Sequence, residues 1–428
     1  MILFRKVTHS NSTISFHEIE LIDKPLSSGG EGGVYRLAGQ DWWLVKCGNT
    51  TIRKRACAKV YSNAFLNKHE KELEKKLSFM IDPVNRPDFL DDGVQQLIQV
   101  CYPFSLLYDS PKGHFVGFLM YFALEDSASL TLISVDRSPK YYKKLRELGI
   151  LDPKEWDLFV KFRFPDLTHT EPKRYAIVFN IASTIHYLHE TGKYVIADIK
   201  PDNFLVNLRG GISLVDINSV QVSNGRKCFP SLVATPDYIP PEMQKNPLGN
   251  KTVAFDCFSM AVVFYQVLTG THPYSYSVKD SSLNLGTSVQ EHIMNGKFAC
   301  GKSRKKYILA PQHKRYDNLP EELKQLFLRA FEGPARSRPS AQEWMVALKP
   351  ICKKTLNPTT TSCLKPRSPL PPRDNKHQQK NGAVSKKTAG NNPPRQIFAW
   401  TKVCPMCGTP YLNPDSSRYC YHCGTMRK

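Results

Sequence analysis

The sequence predicts an α+β chain of two lobes, a strand-rich lobe followed by a helical lobe, with a small metal-binding module at its C-terminal end. A glycine-rich turn and short strand-like runs dominate the first part of the chain. Apolar residues at helical spacing dominate the part that follows. Two Cys-x-x-Cys-Gly motifs stand close together near the C-terminus. Together these features predict two architectures in one chain, a large bilobal domain and a small metal-stabilised module.

Length and composition limit the classes of protein to consider. The chain has 428 residues, enough for more than one domain, and its 41% hydrophobic and 23% charged residues are ordinary for a globular protein. The longest apolar run, residues 257–268, is too short to cross a bilayer and indicates a buried helix. Residues 1–10 lack the sustained apolar region of a signal peptide. Eight of the twelve cysteines are scattered, which suits a reducing compartment, so we expect a cytoplasmic protein.

The net charge of +21 is unevenly distributed along the chain. Residues 351–402 hold eleven Lys or Arg against a single acid, Asp374, in a segment rich in Pro, Asn, Gln and Ser. This composition is typical of a solvated linker, and the alternative is an arm that binds a polyanion. We therefore predict three parts, a domain over 20–350, a basic linker over 351–400 and a small module over 401–428.

The elements of the first lobe are predicted in chain order. Residues 26–35 form a glycine loop that leads into a strand, and 55–61 form a second short strand. Residues 67–81 carry apolar side chains at helical spacing, and 115–120 are strand-like. A lobe of strands with one helix follows from this order.

The second lobe is predicted to be mainly helical. Residues 173–190 and 254–268 have strongly helical patterns, and Gly192 and Gly270 follow them where a glycine can end a helix.

The glycine loop is a candidate phosphate-binding element. Gly29 and Gly32 let backbone amides approach a phosphate closely, and Val34 is placed to cover a base. A lysine on a following strand can bind the α- and β-phosphates. We assign that role to Lys59, which lies among strand formers directly before a helix, while Lys46 remains the alternative.

Two further motifs carry the chemistry. The first reads Val-Ile-Ala-Asp-Ile-Lys-Pro-Asp-Asn over residues 195–203, and the second reads Val-Asp-Ile-Asn over 215–218. They resemble the catalytic loop and the metal motif of the protein kinase family. By this resemblance Asp198 accepts or orients the proton of the substrate hydroxyl and Lys200 steadies the transferring phosphoryl group. Asn203 and Asp216 would then hold magnesium.

The resemblance also implies a nucleotide-binding set. A glutamate on helix 67–81 should pair with the phosphate-binding lysine, and Glu74 and Glu70 are both open for this role. The implied cofactors are ATP and Mg²⁺, and the implied nucleotide-binding residues are Gly29, Gly32, Val34, Lys59, Glu74, Met120 and Leu205.

The resemblance extends over residues 20–350. The segment 234–242 is similar to the kinase segment that ends in Ala-Pro-Glu. Asp256 occupies the position of the kinase residue that supports the catalytic loop, and Arg338 occupies the position of the buried partner of Glu242. Within kinases, Gly-Glu-Gly at 30–32 is among the features similar to a bacterial branch of kinase-like proteins that often carry accessory modules.

The sequence departs from the kinase pattern at four positions. Ile196 and Ala197 replace His and Arg in the catalytic loop, Asn218 replaces a glycine in the metal motif, and Ser27 replaces the first loop glycine. Asn tolerates positive φ, so we expect Asn218 to make the turn that glycine makes. Without an arginine at position 197, we expect no activation by a phosphate between residues 216 and 242.

The C-terminal motifs predict a structural zinc site. Cys404 and Cys407 form one Cys-x-x-Cys-Gly motif, and Cys420 and Cys423 form the other. Four thiolates at this spacing can bind one Zn²⁺ tetrahedrally in a zinc ribbon, and the metal would supply the folding energy of so short a segment.

The function predicted is a Ser/Thr protein kinase that uses ATP and Mg²⁺, with the ribbon recognising a partner. One alternative is a pseudokinase that binds nucleotide without transferring phosphate. Another is a nucleic-acid-binding protein that acts through the basic linker and the ribbon. The implied partners are ATP, a protein substrate and a possible nucleic acid or protein, with no membrane.

Overall fold

The structure is a computed structural model that describes residues 1–8, 13–39, 41–47, 50–82, 85, 87, 97–111, 113–279 and 286–355. Met1–Thr355 form one compact unit. The predicted ribbon and all but the first residues of the predicted linker lie outside the described residues.

The first lobe of the described chain is built from strands and one long helix. These elements are β1 (Ile2–Thr8), β2 (Ile14–Glu20), β3 (Ser27–Ser28), β4 (Gly32–Arg36), β5 (Trp42–Cys47), β6 (Thr50–Tyr61), α1 (Asn63–Ile81), β7 (Ile98–Val100), β8 (Pro103–Tyr108) and β9 (Phe115–Tyr121).

Most of these strands form one sheet, in the order β2-β1-β8-β9-β6-β4-β3. β6 is long, so its first half pairs with β5 and its second half lies between β4 and β9. β1 pairs with both β2 and β8. The predicted domain start at residue 20 is therefore too late, because the first twenty residues include two strands of this sheet.

Helix α1 begins earlier than predicted because it has a cap. Ser62 accepts a hydrogen bond from the backbone N of Phe65, a typical N-cap interaction. Leu73, Leu77 and Met80 form its buried face, as their helical spacing predicted. One further buried residue of this helix, Lys76, is charged.

The second lobe is mainly helical. Its helices are α2 (Thr131–Ser134), α3 (Pro139–Glu147), α4 (Pro153–Phe162), α5 (Lys173–Glu190), α6 (Val253–Thr269), α7 (Val289–Met294), α8 (Lys314–Asp317), α9 (Glu321–Glu332) and α10 (Ala341–Thr355). Its strands are short: β10 (Ser127–Ser129), β11 (Tyr194–Val195), β12 (Phe204–Asn207), β13 (Ile212–Leu214), β14 (Gln221–Ser223), β15 (Cys228–Phe229), β16 (Tyr276–Val278) and β17 (Tyr307–Leu309).

Helix α6 forms the centre of this lobe. Every residue from Phe255 to Thr269 is buried, as expected of a helix whose residues are mostly apolar. Gly270 ends it with φ of 82°, the left-handed cap that the sequence predicted. α5 has the predicted bounds, and α10 packs against it and continues to Thr355, beyond the predicted domain end at residue 350.

Candidate active site

The loop between β11 and β12 brings the predicted catalytic residues together. Asp198 is buried, and its carboxylate forms an ion pair with Lys200 Nζ at 2.7 Å and accepts a hydrogen bond from Asn203 Nδ2 at 3.0 Å. Thr235 Oγ1 donates to the same carboxylate at 2.7 Å and accepts from Lys200 Nζ at 3.0 Å. Asp198, Lys200 and Thr235 thus form a closed triangle of polar contacts, a role for Thr235 that the site prediction did not include.

Asp256 supports this loop from helix α6, in the position that the sequence suggested. Its carboxylate accepts the backbone N–H groups of Ile196 at 2.7 Å and Ala197 at 2.8 Å, and it also contacts Nε2 of His189 at 2.8 Å. Ala197 has φ of 67°, an unfavourable conformation for a residue with a Cβ. The buried carboxylate holds the backbone in this conformation and so fixes Asp198 beside it.

The metal motif follows β13, and its conformation differs from the prediction. The left-handed residue is Asp216, with φ of 57°, whereas Asn218 lies in a 3₁₀ turn over Ile217–Ser219. The expectation that Asn218 makes a positive-φ turn is therefore wrong. Asn218 is buried, and its side chain takes part in the contacts of Lys59.

Lys59 lies on β6 and is buried at the interface of the two lobes. Its Nζ donates to Glu31 Oε2 at 2.6 Å, to Asn218 Oδ1 at 3.1 Å and to Oδ1 of Asp216. Burial alone would lower the pKa of Lys59, but the charges of Asp216 and Glu31 outweigh burial and raise it. Lys59 is therefore a fully charged ammonium group held by two carboxylates.

The prediction that Lys59 pairs with Glu74 or Glu70 of helix α1 is wrong in this structure. Glu74 Oε1 instead accepts a hydrogen bond from the hydroxyl of Tyr108 at 2.7 Å, and Glu70 Oε1 lies 3.3 Å from Nδ1 of His114. Both glutamates thus face β8 and the turn after it. Glu31 takes the place of the predicted partner, and its position inside the glycine loop was the signal that the prediction did not use.

The glycine loop connects β3 to β4. Gly29 and Gly32 exchange backbone hydrogen bonds of 2.9 and 3.2 Å across the tip. A Cβ atom at Gly32 would lie 2.1 Å from the carbonyl oxygen of Val60, so only glycine allows this close approach. The loop therefore needs Gly32 for packing against β6, whereas a Cβ at Gly29 would meet open space.

The other predicted nucleotide-binding residues lie in both lobes. Val34 is opposite Lys59 in the pairing of β4 with β6. Met120 is buried on β9 opposite Cys57, and Leu205 lies on β12 in the second lobe, opposite Ser213. Lys46, the alternative lysine, is opposite Thr51 in the other half of β6.

Glu242 and Arg338 form the ion pair that the sequence suggested. The guanidinium binds the carboxylate through two contacts, Nη1 to Oε1 at 2.6 Å and Nη2 to Oε2 at 2.8 Å. Nη1 also donates to the carbonyl oxygen of Ala254 at 3.1 Å. This bidentate pair fixes the end of the segment that carries Thr235 against the start of helix α6.

The oxygen donors of Asp216 and Asn203 fit magnesium chemically. Asp216 provides a carboxylate and Asn203 an amide oxygen, the ligand types that Mg²⁺ prefers, and a bound nucleotide would add phosphate oxygens. In the described ranges no three His, Cys, Asp or Glu side chains form a metal-binding group, and the four predicted zinc ligands lie outside those ranges. No helix in the described part of the chain is long and apolar enough to span a membrane.

Comparisons with known proteins agree with this geometry. The family model described as "Protein kinase domain" matches residues 155–347. Protein kinase YegI of Escherichia coli O157:H7 is 28% identical over 193 residues, which are 43% of this chain and 29% of the relative. Aurora kinase of Patiria pectinifera is 28% identical over 146 residues, which are 33% of this chain and 35% of the relative.

A third relative, developmentally-regulated protein kinase 1 of Dictyostelium discoideum, is 34% identical over 139 residues, which are 32% of this chain and 19% of the relative. The chain thus aligns with less than two fifths of the length of each of these three proteins. The matched region contains Asp198, Asp216, Asp256 and Arg338. The family model and the relatives show that this part of the chain is similar to protein kinases, and the arrangement of these side chains agrees with that similarity.

Proposed function

We propose that this chain is a protein kinase that transfers the γ-phosphoryl group of ATP to serine or threonine hydroxyls. The observation that carries the proposal is the triangle of Asp198, Lys200 and Thr235. It puts a buried carboxylate, an ammonium group and a hydroxyl within hydrogen-bonding distance of one another. A substrate hydroxyl that reaches Asp198 would meet a proton acceptor and a cation together, as phosphoryl transfer requires.

In the proposed mechanism, Asp198 orients the substrate hydroxyl and accepts its proton. Lys200 stabilises the negative charge that develops on the transferring group, since its ammonium lies 2.7 Å from the Asp198 carboxylate. Asn203 and Asp216 would hold Mg²⁺, which neutralises phosphate charge when it is bound. Lys59 binds the phosphates of the nucleotide from the opposite lobe.

Ser/Thr preference is part of the proposal, and it rests on Lys200. Its Nζ reaches both Asp198 and Thr235, so the ammonium group lies directly beside the proton acceptor. A lysine at this position resembles the Ser/Thr group of kinases, and Thr235 adds a hydroxyl to the same contact.

The C-terminal module is proposed to recognise a partner. Cys404, Cys407, Cys420 and Cys423 would bind one Zn²⁺ with no open coordination position, which suits a structural role and not catalysis. The basic, proline-rich segment before it would act as a tether.

One experiment tests the proposed activity. The purified chain is incubated with γ-labelled ATP, Mg²⁺ and a generic protein acceptor, beside the Asp198→Asn variant. We expect label on Ser and Thr of the acceptor with the wild type, and loss of transfer by about a hundredfold or more in the variant. Label on Tyr alone would contradict the Ser/Thr assignment.

The alternatives give other outcomes in the same preparation. Nucleotide binding without any transfer would identify a pseudokinase, which the departures at Ile196, Ala197 and Asn218 keep open. Tight DNA or RNA binding with a steep salt dependence, lost on removal of residues 356–428, would identify a nucleic-acid-binding protein.

A further inference from the structure

The ammonium group of Lys59 has no free donor in this structure. A lysine Nζ carries three N–H groups, and three side chains accept them, those of Glu31, Asp216 and Asn218. Lys59 is also only 7% exposed, which leaves little room for a further ligand. A phosphate oxygen can therefore bind Lys59 only if one of these three acceptors leaves.

Two of the three acceptors belong to one turn, whose backbone is held by hydrogen bonds. The backbone carbonyl of Asp216 accepts hydrogen bonds from the backbone N of Ser219 at 3.1 Å and from its hydroxyl at 2.8 Å. Asn218 is 3% exposed, within the same turn. Asp216 is also the proposed magnesium ligand, so it has a reason to remain beside a bound nucleotide.

The third acceptor, Glu31, lies on the tip of the glycine loop. Neighbouring Gly29 and Gly30 have nothing within 4 Å of an added Cβ, so the tip is loosely packed. The backbone carbonyl of Glu31 is held by the N–H of Ser62 at 2.8 Å, yet its side chain is 23% exposed. The side chain of Asp216 is 34% exposed, so the proposed magnesium role of Asp216, and not exposure, makes Glu31 the acceptor that leaves. Rotation of the Glu31 side chain alone can therefore release Lys59, without opening of the loop.

We propose that Glu31 competes with the phosphates of the nucleotide for Lys59. Its carboxylate is an anion with two acceptor oxygens and binds the same ammonium group that a phosphate would bind. An arriving phosphate also repels this carboxylate, so nucleotide binding and the Glu31–Lys59 contact exclude each other. The inference rests on the proposed function, because it requires that Lys59 binds nucleotide phosphates.

This competition also explains a departure from the kinase pattern. Asn218 replaces the glycine of the metal motif, and its amide donates weakly to Glu31 Oε2 at 3.4 Å while its oxygen accepts from Lys59. A glycine could make neither contact. Asn218 thus favours the arrangement in which Glu31 is bound to Lys59.

The test compares nucleotide binding in variants of the full chain. Dissociation constants for ADP with Mg²⁺ and for adenosine are measured by calorimetry for the wild type, Glu31→Ala and Glu31→Gln. We expect Glu31→Ala to bind ADP about tenfold more tightly, while adenosine, which has no phosphate, changes by less than about twofold. Glu31→Gln keeps the shape and loses the charge, so its ADP affinity should lie between the two.

The control is Glu18→Ala, which removes one exposed carboxylate from β2 of the same lobe and should change neither constant. Equal or weaker ADP binding in Glu31→Ala, with adenosine binding intact, would overturn the competition but not the proposed nucleotide site. Absence of both ADP and adenosine binding in every variant would overturn the proposed function and the competition together.

Discussion

Thr235 Oγ1 donates a hydrogen bond of 2.7 Å to Oδ1 of Asp198, across 37 positions of sequence. The contact joins the catalytic loop to the segment between the metal motif and Glu242. Since Lys200 contacts both side chains, the hydroxyl of Thr235 orients the proposed proton acceptor and the proposed phosphate-stabilising cation together.

Removal of this hydroxyl should slow phosphoryl transfer. Thr235→Val keeps the shape of the side chain but leaves the Asp198 carboxylate with one donor fewer, so we expect kcat to fall about tenfold or more with little change in ATP affinity. Thr235→Ser restores the donor and should keep most of the activity. Steady-state kinetics of both variants provide the check, and an unchanged kcat for Thr235→Val would contradict the role of the hydroxyl.

The two lysines considered for phosphate binding should behave differently. Lys59→Ala removes the ammonium group opposite Val34 and should reduce transfer by about a hundredfold. Lys46→Ala should remain near the wild-type rate, because Lys46 pairs opposite Thr51, in the half of β6 remote from β4. If Lys46→Ala proves inactive and Lys59→Ala does not, the assignment of Lys59 is wrong.

Loss of Glu242 should destabilise the second lobe. Arg338 is buried, and Glu242→Gln would leave its guanidinium without a countercharge, at a cost of about 2 kcal/mol in the free energy of unfolding. The exposed pair of Lys154 and Asp126 provides the comparison, since Lys154→Ala should cost about 0–1 kcal/mol. Urea denaturation measures both, and equal losses would contradict the importance of burial.

The buried Lys76 should make stability depend on pH. Burial lowers the pKa of Lys76 to about 8 from its ordinary value of 10.5, and its Nζ contacts the carbonyl of Pro230 at 3.4 Å. Between these two values the folded chain binds fewer protons than the unfolded chain, so its stability rises with pH; below pH 8 the full penalty for the buried charge applies.

Lys76→Met should therefore stabilise the fold at pH 7, by about 1–3 kcal/mol, and remove the rise above pH 8. Lys75→Met changes the exposed neighbour on the same helix and should leave the pH profile unaltered. Denaturation curves from pH 7 to above pH 10 measure the free energy of unfolding of each variant. Identical pH profiles for Lys76→Met and the wild type would contradict the lowered pKa of a buried Lys76.

The C-terminal cysteines should bind one zinc ion per chain. Metal analysis should find one zinc in the full chain and none when Cys404 and Cys407 are both changed to Ser. A chain ending at Thr355 should keep its ADP affinity, since Met1–Thr355 form one compact unit. The cut belongs there and not at residue 350, because Cys352 is buried in the last turns of α10. Unfolding of the shortened chain would contradict the division into modules.

The sequence alone determined the features that depend on local spacing. The bounds of α5, the glycine cap of α6 and the run of motifs around Asp198 follow from periodicity and short motifs, which act over a few residues. The pairing of Glu242 with Arg338 spans 96 positions and was still predictable, because each residue stands in a recognisable motif of its own.

Only the tertiary structure decided which acid holds Lys59. Glu31 and Glu74 both stand at plausible positions in the sequence, and the choice depends on how far α1 is rotated against the sheet and how the glycine loop closes over β6. The same holds for Asn218, whose conformation follows from its contacts with Lys59 and Glu31, 159 and 187 positions away. Such contacts form only when both lobes have packed. They join residues that are far apart in sequence, and each contributes little energy, so no local sequence pattern predicts which of them forms.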